Sequence, residues 1–353
     1  MKVYIKFICK IFLKSILFVT LVMLSLVIIL NTLTELEFFS DFKVDTFFPI
    51  YMSLLNSPTL IFEMFPFIFL VSTQLFFINL FNNNEVEIFK YSGLKNTSIL
   101  KIISIMSVLI GLIIITLFYT FSSSLKNFYL EIKSKYTTDG KYLAVITNNG
   151  LWIKDIVNGK TSIINASRID KNILLDTFIT EFDSSYNVVR NIKSEKINIK
   201  NNQWLIYNAK IYQDQTSEVI DILKKRTNFN YERIQSLFSN LSSLSLQNLF
   251  ILRNNYKMLN YSTTEVDVQI QKILSYPIYL TLMTIFSAII MFNTKKNKSS
   301  SLKIALGLFF SVIIYYTFNF FNVMGNTERL SILISIWTPI LLLTIINSIM
   351  VYR

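Results

Sequence analysis

The chain has 353 residues, of which 52% are hydrophobic and 15% aromatic, and its formal net charge is +12. It has no histidine and one cysteine, which excludes Ser/His/Asp and Cys/His nucleophile systems, the usual zinc sites and an internal disulfide. The positive charge would suit a nucleic-acid partner, but its positive residues flank apolar stretches, so we predict no nucleic-acid binding.

Six apolar stretches are long enough to cross a membrane, whose hydrocarbon core of ~30 Å needs about twenty helical residues. They are Ser15–Thr34, Pro58–Phe81, Ile102–Leu125, Tyr276–Asn293, Ile304–Thr327 and Leu330–Tyr352. A soluble fold does not need six such stretches, so we predict an α-helical polytopic membrane protein. The spans form two groups of three, in residues 1–125 and 271–353, and a polar domain at residues 126–270 separates them.

Lysine and arginine residues predict the orientation, because positive charges near span ends resist translocation. One set of span ends carries most of them, namely Lys2, Lys6, Lys10, Lys14, Lys90, Lys95, Lys101, Lys295, Lys296, Lys298, Lys303 and Arg353. The opposite short loops carry only Lys43 and Arg329. We therefore expect both termini in the cytoplasm, the insert outside, and an uncleaved first span rather than a signal peptide.

One carboxylate, Glu63, lies inside a predicted span, where an ionisable residue is a functional candidate. Ser57 as N-cap and Pro58 as first helical residue predict that the span begins about a turn and a half before Glu63. This favours an interfacial, water-accessible carboxylate over a buried relay group.

A short helix is predicted at about residues 84–93, between the second and third spans. Asn84 suits the N-cap, Glu85 and Glu87 favour the positive end of the helix dipole, and Gly93 can end the helix in a left-handed turn. The apolar side chains of this helix are Val86, Ile88 and Phe89. On these residues alone, an ordinary capped extension of a span is the simpler interpretation.

Closely spaced strands open the insert. The candidates are Tyr142–Thr147, Leu151–Ile156, Thr161–Ala166, Ile173–Phe182, Val188–Ile199 and Trp204–Tyr212. Asn149-Gly150 and Asn158-Gly159 have the composition of tight hairpin turns. Because no helix intervenes, the pattern predicts an all-β sandwich or jelly roll.

The pattern changes beyond Ser217, where we expect helix rather than strand. Leu246–Leu259 is predicted to be helical, and Ser262 with Glu265 has the spacing of a capping box. The helix that this box begins is predicted to run into the fourth span.

ATP binding by this chain is not supported. Gly159-Lys160-Thr161 resembles the end of a phosphate-binding loop, but Lys154 stands where that loop needs its first glycine. Any use of ATP therefore requires a partner protein.

Two segments resemble the LptF/LptG family, the permease subunits of the lipopolysaccharide export ABC transporter. Glu85 to Lys95 resembles its coupling helix, and Gly150-Leu151-Trp152-Ile153-Lys154-Asp155 is similar to its Gly-(Leu/Val)-Trp-x-(Lys/Arg)-Asp stretch, with Gly150, Trp152 and Asp155 as structural positions. Pro277 and Pro339 also fall where that family tends to have proline. The resemblance covers essentially the full chain and favours the LptG branch, through the Asn-Gly-Leu-Trp-Ile-Lys-Asp run.

The resemblance implies a non-catalytic permease of the bacterial inner membrane that extracts lipopolysaccharide and passes it to a periplasmic bridge toward the outer membrane. The implied partners are a homologous LptF-like permease, a cytoplasmic LptB-like ATPase dimer, and LptC/LptA-like jelly-roll bridge proteins. ATP and Mg²⁺ would bind the ATPase, and this chain would bind no cofactor or metal. Glu85 would pair with a basic residue of the ATPase, Val86 and Phe89 would fill its groove, and Gly93 would allow close approach.

Acyl chains that cross water need an apolar trough, which the resemblance places in the external jelly-roll domain. Candidate lining residues are Leu143, Val145, Leu151, Ile153, Phe178 and Trp204. The alternative is that they form an ordinary sandwich core, the simpler interpretation for any single residue. Trp152 is expected to be a packing anchor rather than a lipid contact.

The outer end of the first span departs from the family, which tends to place basic residues there to meet lipid A phosphates. Here the charged residues are Glu35, Glu37 and Asp41, with Lys43 as the nearby cation. Carboxylates would repel a phosphorylated head group unless divalent ions bridge them.

Two other classes of function compete with the permease. A membrane-anchored receptor that senses a periplasmic ligand would share this topology, but its cytoplasmic regions are too short for a signalling domain. An intramembrane enzyme would need paired Asp, Glu or His residues within the spans, which the sequence lacks. Strict dependence on an ATPase partner distinguishes the permease from both.

Overall fold

The computed structural model describes residues 3–136, 151–157, 159–170, 172–213, 216–231, 234, 240–258, 261–293 and 300–352. The chain divides into two compact units. Met1–Tyr129, Ser242–Leu249 and Thr264–Arg353 form the first, which we call the helical unit. Leu130–Leu241 and Phe250–Thr263 form the second, which we call the sheet unit.

The helices account for all six predicted spans. Their bounds are α1 Val3–Phe38, α2 Phe48–Asn82, α3 Glu85–Tyr91, α4 Asn96–Ile113, α5 Tyr119–Ser134, α6 Leu246–Met258, α7 Thr264–Asn293, α8 Ser300–Asn326 and α9 Ile332–Tyr352. A π-helical turn at Ile114–Phe118 joins α4 to α5, so Asn96–Ser134 is one long helix. Within the described residues, six helices have the length and composition to cross a membrane, which confirms the predicted polytopic architecture.

The start of α2 corrects a prediction. The helix begins at Phe48, so Ser57 is not its N-cap and Pro58 lies inside it. Ser57 instead donates its hydroxyl to the Ser53 carbonyl at 2.7 Å, one turn earlier. Glu63 follows Phe48 by 15 residues, or about 22 Å of helix at 1.5 Å per residue. The predicted position of Glu63, a turn and a half from the helix start, was therefore wrong.

Proline creates a bonding site where α2 meets α7. Pro66 has no N–H, which frees the carbonyl of Phe62 four residues earlier. The Tyr276 hydroxyl of α7 donates a hydrogen bond to this carbonyl, and Ser287 donates to the Leu70 carbonyl at 2.7 Å. Since unsatisfied backbone groups are costly in a membrane, these side chains stabilise the crossing of α2 and α7.

A glycine allows α4 and α7 to approach closely. A Cβ atom added to Gly111 would lie 2.9 Å from the Cα of Pro277, which is closer than real Cβ atoms approach. Four residues earlier, the hydroxyls of Ser107 and Thr284 form a hydrogen bond of 3.0 Å between the same helices. Small residues and buried hydroxyls thus provide the packing that apolar burial cannot provide within lipid.

The sheet unit contains six antiparallel strands in sequential order. They are β1 Leu151–Val157, β2 Lys160–Asp170, β3 Ile173–Phe182, β4 Val188–Asn198, β5 Gln203–Gln213 and β6 Thr216–Arg226. Each of these strands pairs with its neighbour in sequence, which confirms an all-β insert between the third and fourth spans. The predicted strand Tyr142–Thr147 and the Asn149-Gly150 turn lie outside the described residues.

The last strand, β6, was missed. The sequence predicted a change of pattern beyond Ser217, but Thr216–Arg226 pairs with β5 along its length. Most of its side chains are exposed or half-buried, so the hydrophobic alternation that identifies a strand is weak there. Pairing with β5 rather than burial stabilises this segment.

One face of the sheet carries the core. Its buried residues are Leu151, Ile153, Ile164, Ala166, Leu174, Ile179, Ile192, Ile197, Ile199, Trp204, Ile206, Ala209, Ile211, Phe229 and Ile234. Phe229 and Ile234 follow β6 and are both fully buried. The Trp204 indole donates a hydrogen bond of 2.7 Å to the Phe229 carbonyl, so the segment after β6 covers the centre of this face.

Candidate functional site

The predicted coupling helix is present as α3, Glu85–Tyr91. Asn84 occupies the N-cap position with a left-handed backbone (φ 58°) and makes no side-chain capping bond. At the other end, Gly93 has φ 79°, Leu94 N–H bonds the Phe89 carbonyl at 2.8 Å and Gly93 N–H bonds the Lys90 carbonyl at 3.0 Å. This pair of bonds is the Schellman motif, so the predicted glycine termination is confirmed.

Glu85 begins α3 with an incompletely satisfied carboxylate. One of its oxygens, Oε2, is shielded from solvent and has no hydrogen-bond partner within the described structure. Burial raises the pKa of Glu85, and a hydrogen bond with Asn83 opposes that shift. Glu85 as a whole is half-exposed, so the rest of its carboxylate can accept from a cationic donor of another protein.

The apolar side chains of α3 differ in their burial. Val86 is only 3% exposed and Phe89 packs edge-on against Phe7 of α1, with ring centroids 6.1 Å apart. Val86 therefore packs into its own chain rather than facing a groove of an ATPase, whereas Phe89 is half-buried and its docking role stays a prediction. Ile88 and Tyr91, 58% and 90% exposed, are the apolar side chains that α3 presents outward.

Among its described residues, the helical unit contains a polar and an apolar cavity. The polar cavity, of about 220 Å³, is lined by Thr59, Phe62, Glu63, Pro66, Tyr119, Ser242, Gln269, Lys272, Ser275, Tyr276, Tyr279, Tyr315, Phe318, Asn319, Asn322 and Ile336. The apolar cavity, of about 580 Å³, is lined by Val27, Leu30, Asn31, Thr34, Leu60, Glu63, Met64, Pro66, Phe67, Tyr279, Met283, Ser311, Val312, Tyr315 and Tyr316.

The two cavities share a wall. Glu63, Pro66, Tyr279 and Tyr315 line both. The polar one is surrounded by hydroxyl, amide and charged groups and the apolar one mostly by hydrocarbon, so together they match the two ends of an amphiphilic molecule.

The acidic residues near the end of α1 have a structural role that the sequence did not show. Glu35 is 1% exposed and accepts a hydrogen bond of 2.7 Å from the Tyr129 hydroxyl. Nearby, Lys126 donates to Asn56 Oδ1 at 2.6 Å, and Asn56 donates to Asn31 Oδ1 at 3.1 Å. Glu35 is therefore a buried acceptor between helices, and repulsion of a phosphorylated head group by this acidic region stays a prediction.

In the sheet unit, the predicted trough residues separate into two groups. Leu151, Ile153 and Trp204 are buried in the core, beneath the segment that contains Phe229. Phe178 is 42% exposed, so the prediction that it faces inward was wrong. Leu143 and Val145 lie outside the described residues.

The polar and aromatic residues of the Gly150–Asp155 segment differ in their burial. Trp152 is 58% exposed, which contradicts its expected role as a buried packing anchor. Asp155 is 1% exposed and accepts hydrogen bonds from the side-chain and backbone nitrogens of Asn228, at 2.9 and 3.3 Å. Burial raises the pKa of Asp155, and the bonds from Asn228 oppose the shift. Asp155 thus holds the segment after β6 in place. Gly150, the first residue of the motif, lies outside the described residues.

The sequence matches the family described as the lipopolysaccharide export system permease LptF/LptG over residues 6–353. The chain belongs to the LptF/LptG family. A search of curated proteins gives no significant match.

Membership of the LptF/LptG family has direct consequences. The chain is a multi-pass protein of the inner membrane and a non-catalytic component of lipopolysaccharide export. Its work belongs within the export complex.

Sequence reasoning missed several residues of this LptF/LptG permease. Ile88 belongs to the predicted short helix, but a helix of seven residues is too short for its sequence pattern to show which side chains face outward. The four tyrosines of the polar cavity, Tyr119, Tyr276, Tyr279 and Tyr315, had a signal in the sequence, since each is a polar aromatic residue within or beside an apolar stretch. Lys272 precedes the predicted start of the fourth span and was therefore not considered.

Proposed function

We propose that this chain is the permease subunit of an ABC transporter that extracts lipopolysaccharide from the inner membrane and passes it to a periplasmic bridge toward the outer membrane. The match to the LptF/LptG family over residues 6–353 carries this proposal. Both termini lie in the cytoplasm and the sheet unit lies in the periplasm. Within the family, the chain is of the LptG branch.

Coupling begins at α3, which docks on an LptB-like ATPase. Ile88 and Tyr91 supply the exposed apolar contact, and the half-exposed Glu85 carboxylate accepts from a basic residue of the ATPase. Val86 is buried and Phe89 packs on Phe7, so a displacement of α3 moves the ends of α1 and α2. A helix packed in this way transmits rigid-body motion as long as it stays docked.

The lipid occupies the membrane cavities before export. Acyl chains fit the apolar cavity, and the head group fits the polar one. An LptF-like permease completes the enclosure, because α1 and α8 leave most of their apolar surface uncovered in this chain. ATP and Mg²⁺ remain on the ATPase.

Export continues through the sheet unit toward LptC/LptA-like bridge proteins. Because Leu151, Ile153 and Trp204 lie in a closed core, acyl chains reach them only after the Phe229 segment moves away. Opening of this segment therefore accompanies each transfer.

Affinity purification from the native membrane in mild detergent, followed by mass spectrometry, tests the proposed function. We expect an ABC ATPase, a second permease of similar size and lipid A to remain bound. Recovery of the chain alone, or with a signalling protein, would instead favour a receptor.

A photo-crosslinker at Ile153 is expected to capture lipopolysaccharide only when ATP is supplied, because Ile153 is 1% exposed in the closed sheet. The same probe at Trp152, the adjacent and exposed position on β1, is the matched control and should show no ATP-dependent gain. Capture at Ile153 without ATP, or no capture under either condition, would argue against passage through this face.

A further inference from the structure

The polar cavity contains two charged residues of opposite sign. Glu63 comes from α2 and Lys272 from α7, and both line the same space. Within the described part of the chain, neither the Glu63 carboxylate nor the Lys272 ammonium makes an ion pair or a hydrogen bond. Each charge is therefore available to a ligand.

Unpaired charges at this depth of a helix need a compensating partner. Glu63 lies near the middle of α2, which runs from Phe48 to Asn82. Ionisable side chains within spans are costly unless they face a water-filled cavity or a group of opposite charge. Because Glu63 and Lys272 do not pair with each other, one ligand that carries both charges would compensate both.

A ligand with phosphate groups alone fits this cavity poorly. Lys272 would attract its phosphate, but Glu63 would repel it, since like charges in a site of low dielectric interact strongly. A cationic group attached next to the phosphate would turn that repulsion into a second attraction. The pair Glu63 and Lys272 thus selects for a head group with an ammonium beside a phosphate.

The shared wall indicates that this ligand is a lipid. Glu63 lines the apolar cavity as well as the polar one, together with Tyr279 and Tyr315. Acyl chains in the apolar cavity would place a head group next to Glu63. Asn319 and Asn322 on α8 supply further hydrogen-bonding groups on the polar side.

We propose that the polar cavity binds an ammonium-bearing phosphate head group, with the ammonium at Glu63 and the phosphate at Lys272, and that the cargo is lipopolysaccharide whose lipid A phosphate carries an amine substituent. The assignment of the cargo rests on the proposed function. The contact between the ammonium and Glu63 would explain why an acidic residue lines a cavity that receives a phosphorylated lipid.

Binding of two lipid A preparations, identical except for an amine substituent on the phosphate, tests the proposal. The full chain, purified with its bound partners, is placed in nanodiscs and the two lipids compete for it. Wild type is expected to prefer the amine-substituted lipid by about tenfold, the effect of one charge-assisted hydrogen bond. Glu63→Gln, which keeps the shape of the side chain, should remove the preference, and Lys272→Gln should weaken both lipids equally.

The matched control is Glu131→Gln, which removes the same charge from an exposed position on α5 that lines neither cavity. It should keep the tenfold preference. Equal affinity of wild type for the two lipids, or a preference that survives Glu63→Gln, would overturn the proposal. Retention of the bound partners by each variant shows that it is folded.

Two further measurements distinguish between the possible lipids and between failure of this inference and failure of the proposed function. Phosphatidylethanolamine carries the same pair of charges, and if it competes as well as amine-substituted lipid A, the assignment of the cargo is overturned. ATP-dependent export is measured on the same samples. Export without any preference for the amine would overturn this inference and leave the proposed function intact, whereas absence of export for both lipids would overturn the proposed function itself.

Discussion

Glu85→Lys is expected to abolish ATP-driven lipid export while the protein stays in the membrane at its normal level. Glu85 is half-exposed at the start of α3, where its carboxylate can pair with a cation from the ATPase. Reversal of this charge replaces an attraction with a repulsion and leaves the partner cation unpaired. Loss of one member of a buried charge pair costs about 2–5 kcal/mol at an interface, a factor of roughly 30 or more in affinity.

The measurement has two parts, co-purification of the ATPase and export from vesicles. Glu85→Gln should give an intermediate loss, because the amide keeps an acceptor but not the charge. Glu131→Lys is the control, since it makes the same change of charge at an exposed position on α5. Normal export by Glu85→Lys would show that α3 does not transmit the motion.

Trp204→Ala is expected to destabilise the sheet unit by about 3–5 kcal/mol, the usual cost of removing a large aromatic side chain from a core. Trp204 is fully buried and its indole holds the Phe229 carbonyl at 2.7 Å. Truncation therefore leaves a cavity and releases the segment that covers the sheet. Hydrogen exchange of the full-length protein should show faster exchange in β1 to β6 and unchanged exchange in α2 and α7.

Trp152→Ala gives a matched control for this prediction. It removes the same kind of side chain from the same sheet, but from a position that is 58% exposed, so we expect a loss of about 1 kcal/mol or less. Equal effects of the two substitutions would contradict the closed core around Trp204.

The helices and most strands could be predicted because their signals are local. A span requires length without charge, and all six predicted spans lie wholly or largely within observed helices. Alternation and turn residues located β1 to β5, and Gly159 at the predicted β1–β2 turn has a φ of 76°. The strand β6 has many exposed side chains, so it had no comparable signal.

The start of α2 shows where a local signal misleads. Ser57 and Pro58 have the composition of a helix start, but in a transmembrane helix neighbouring groups can satisfy the carbonyls that proline frees. Tyr276 does so for the Phe62 carbonyl, opposite Pro66. A prediction from Ser57 and Pro58 alone therefore placed Glu63 too close to the helix end.

The candidate sites depended on contacts that sequence spacing does not reveal. Val86 was predicted to dock and Ile88 was not, and only the packing of α3 shows that Val86 is buried and Ile88 exposed. Glu63 and Lys272 belong to different halves of the chain, and their shared cavity follows from the crossing of α2 and α7. Glu35 likewise needed Tyr129 beside it before its role as a buried acceptor could be seen.

Transfer of lipopolysaccharide from proteoliposomes to a soluble bridge protein tests most directly whether this chain is the permease. The vesicles contain this chain together with the partners that co-purify with it, and the lipid bound to the bridge protein is measured over time with and without ATP. We expect transfer that requires ATP and that stops when this chain is omitted. Transfer at the same rate without ATP, or without this chain, would contradict its role as the permease.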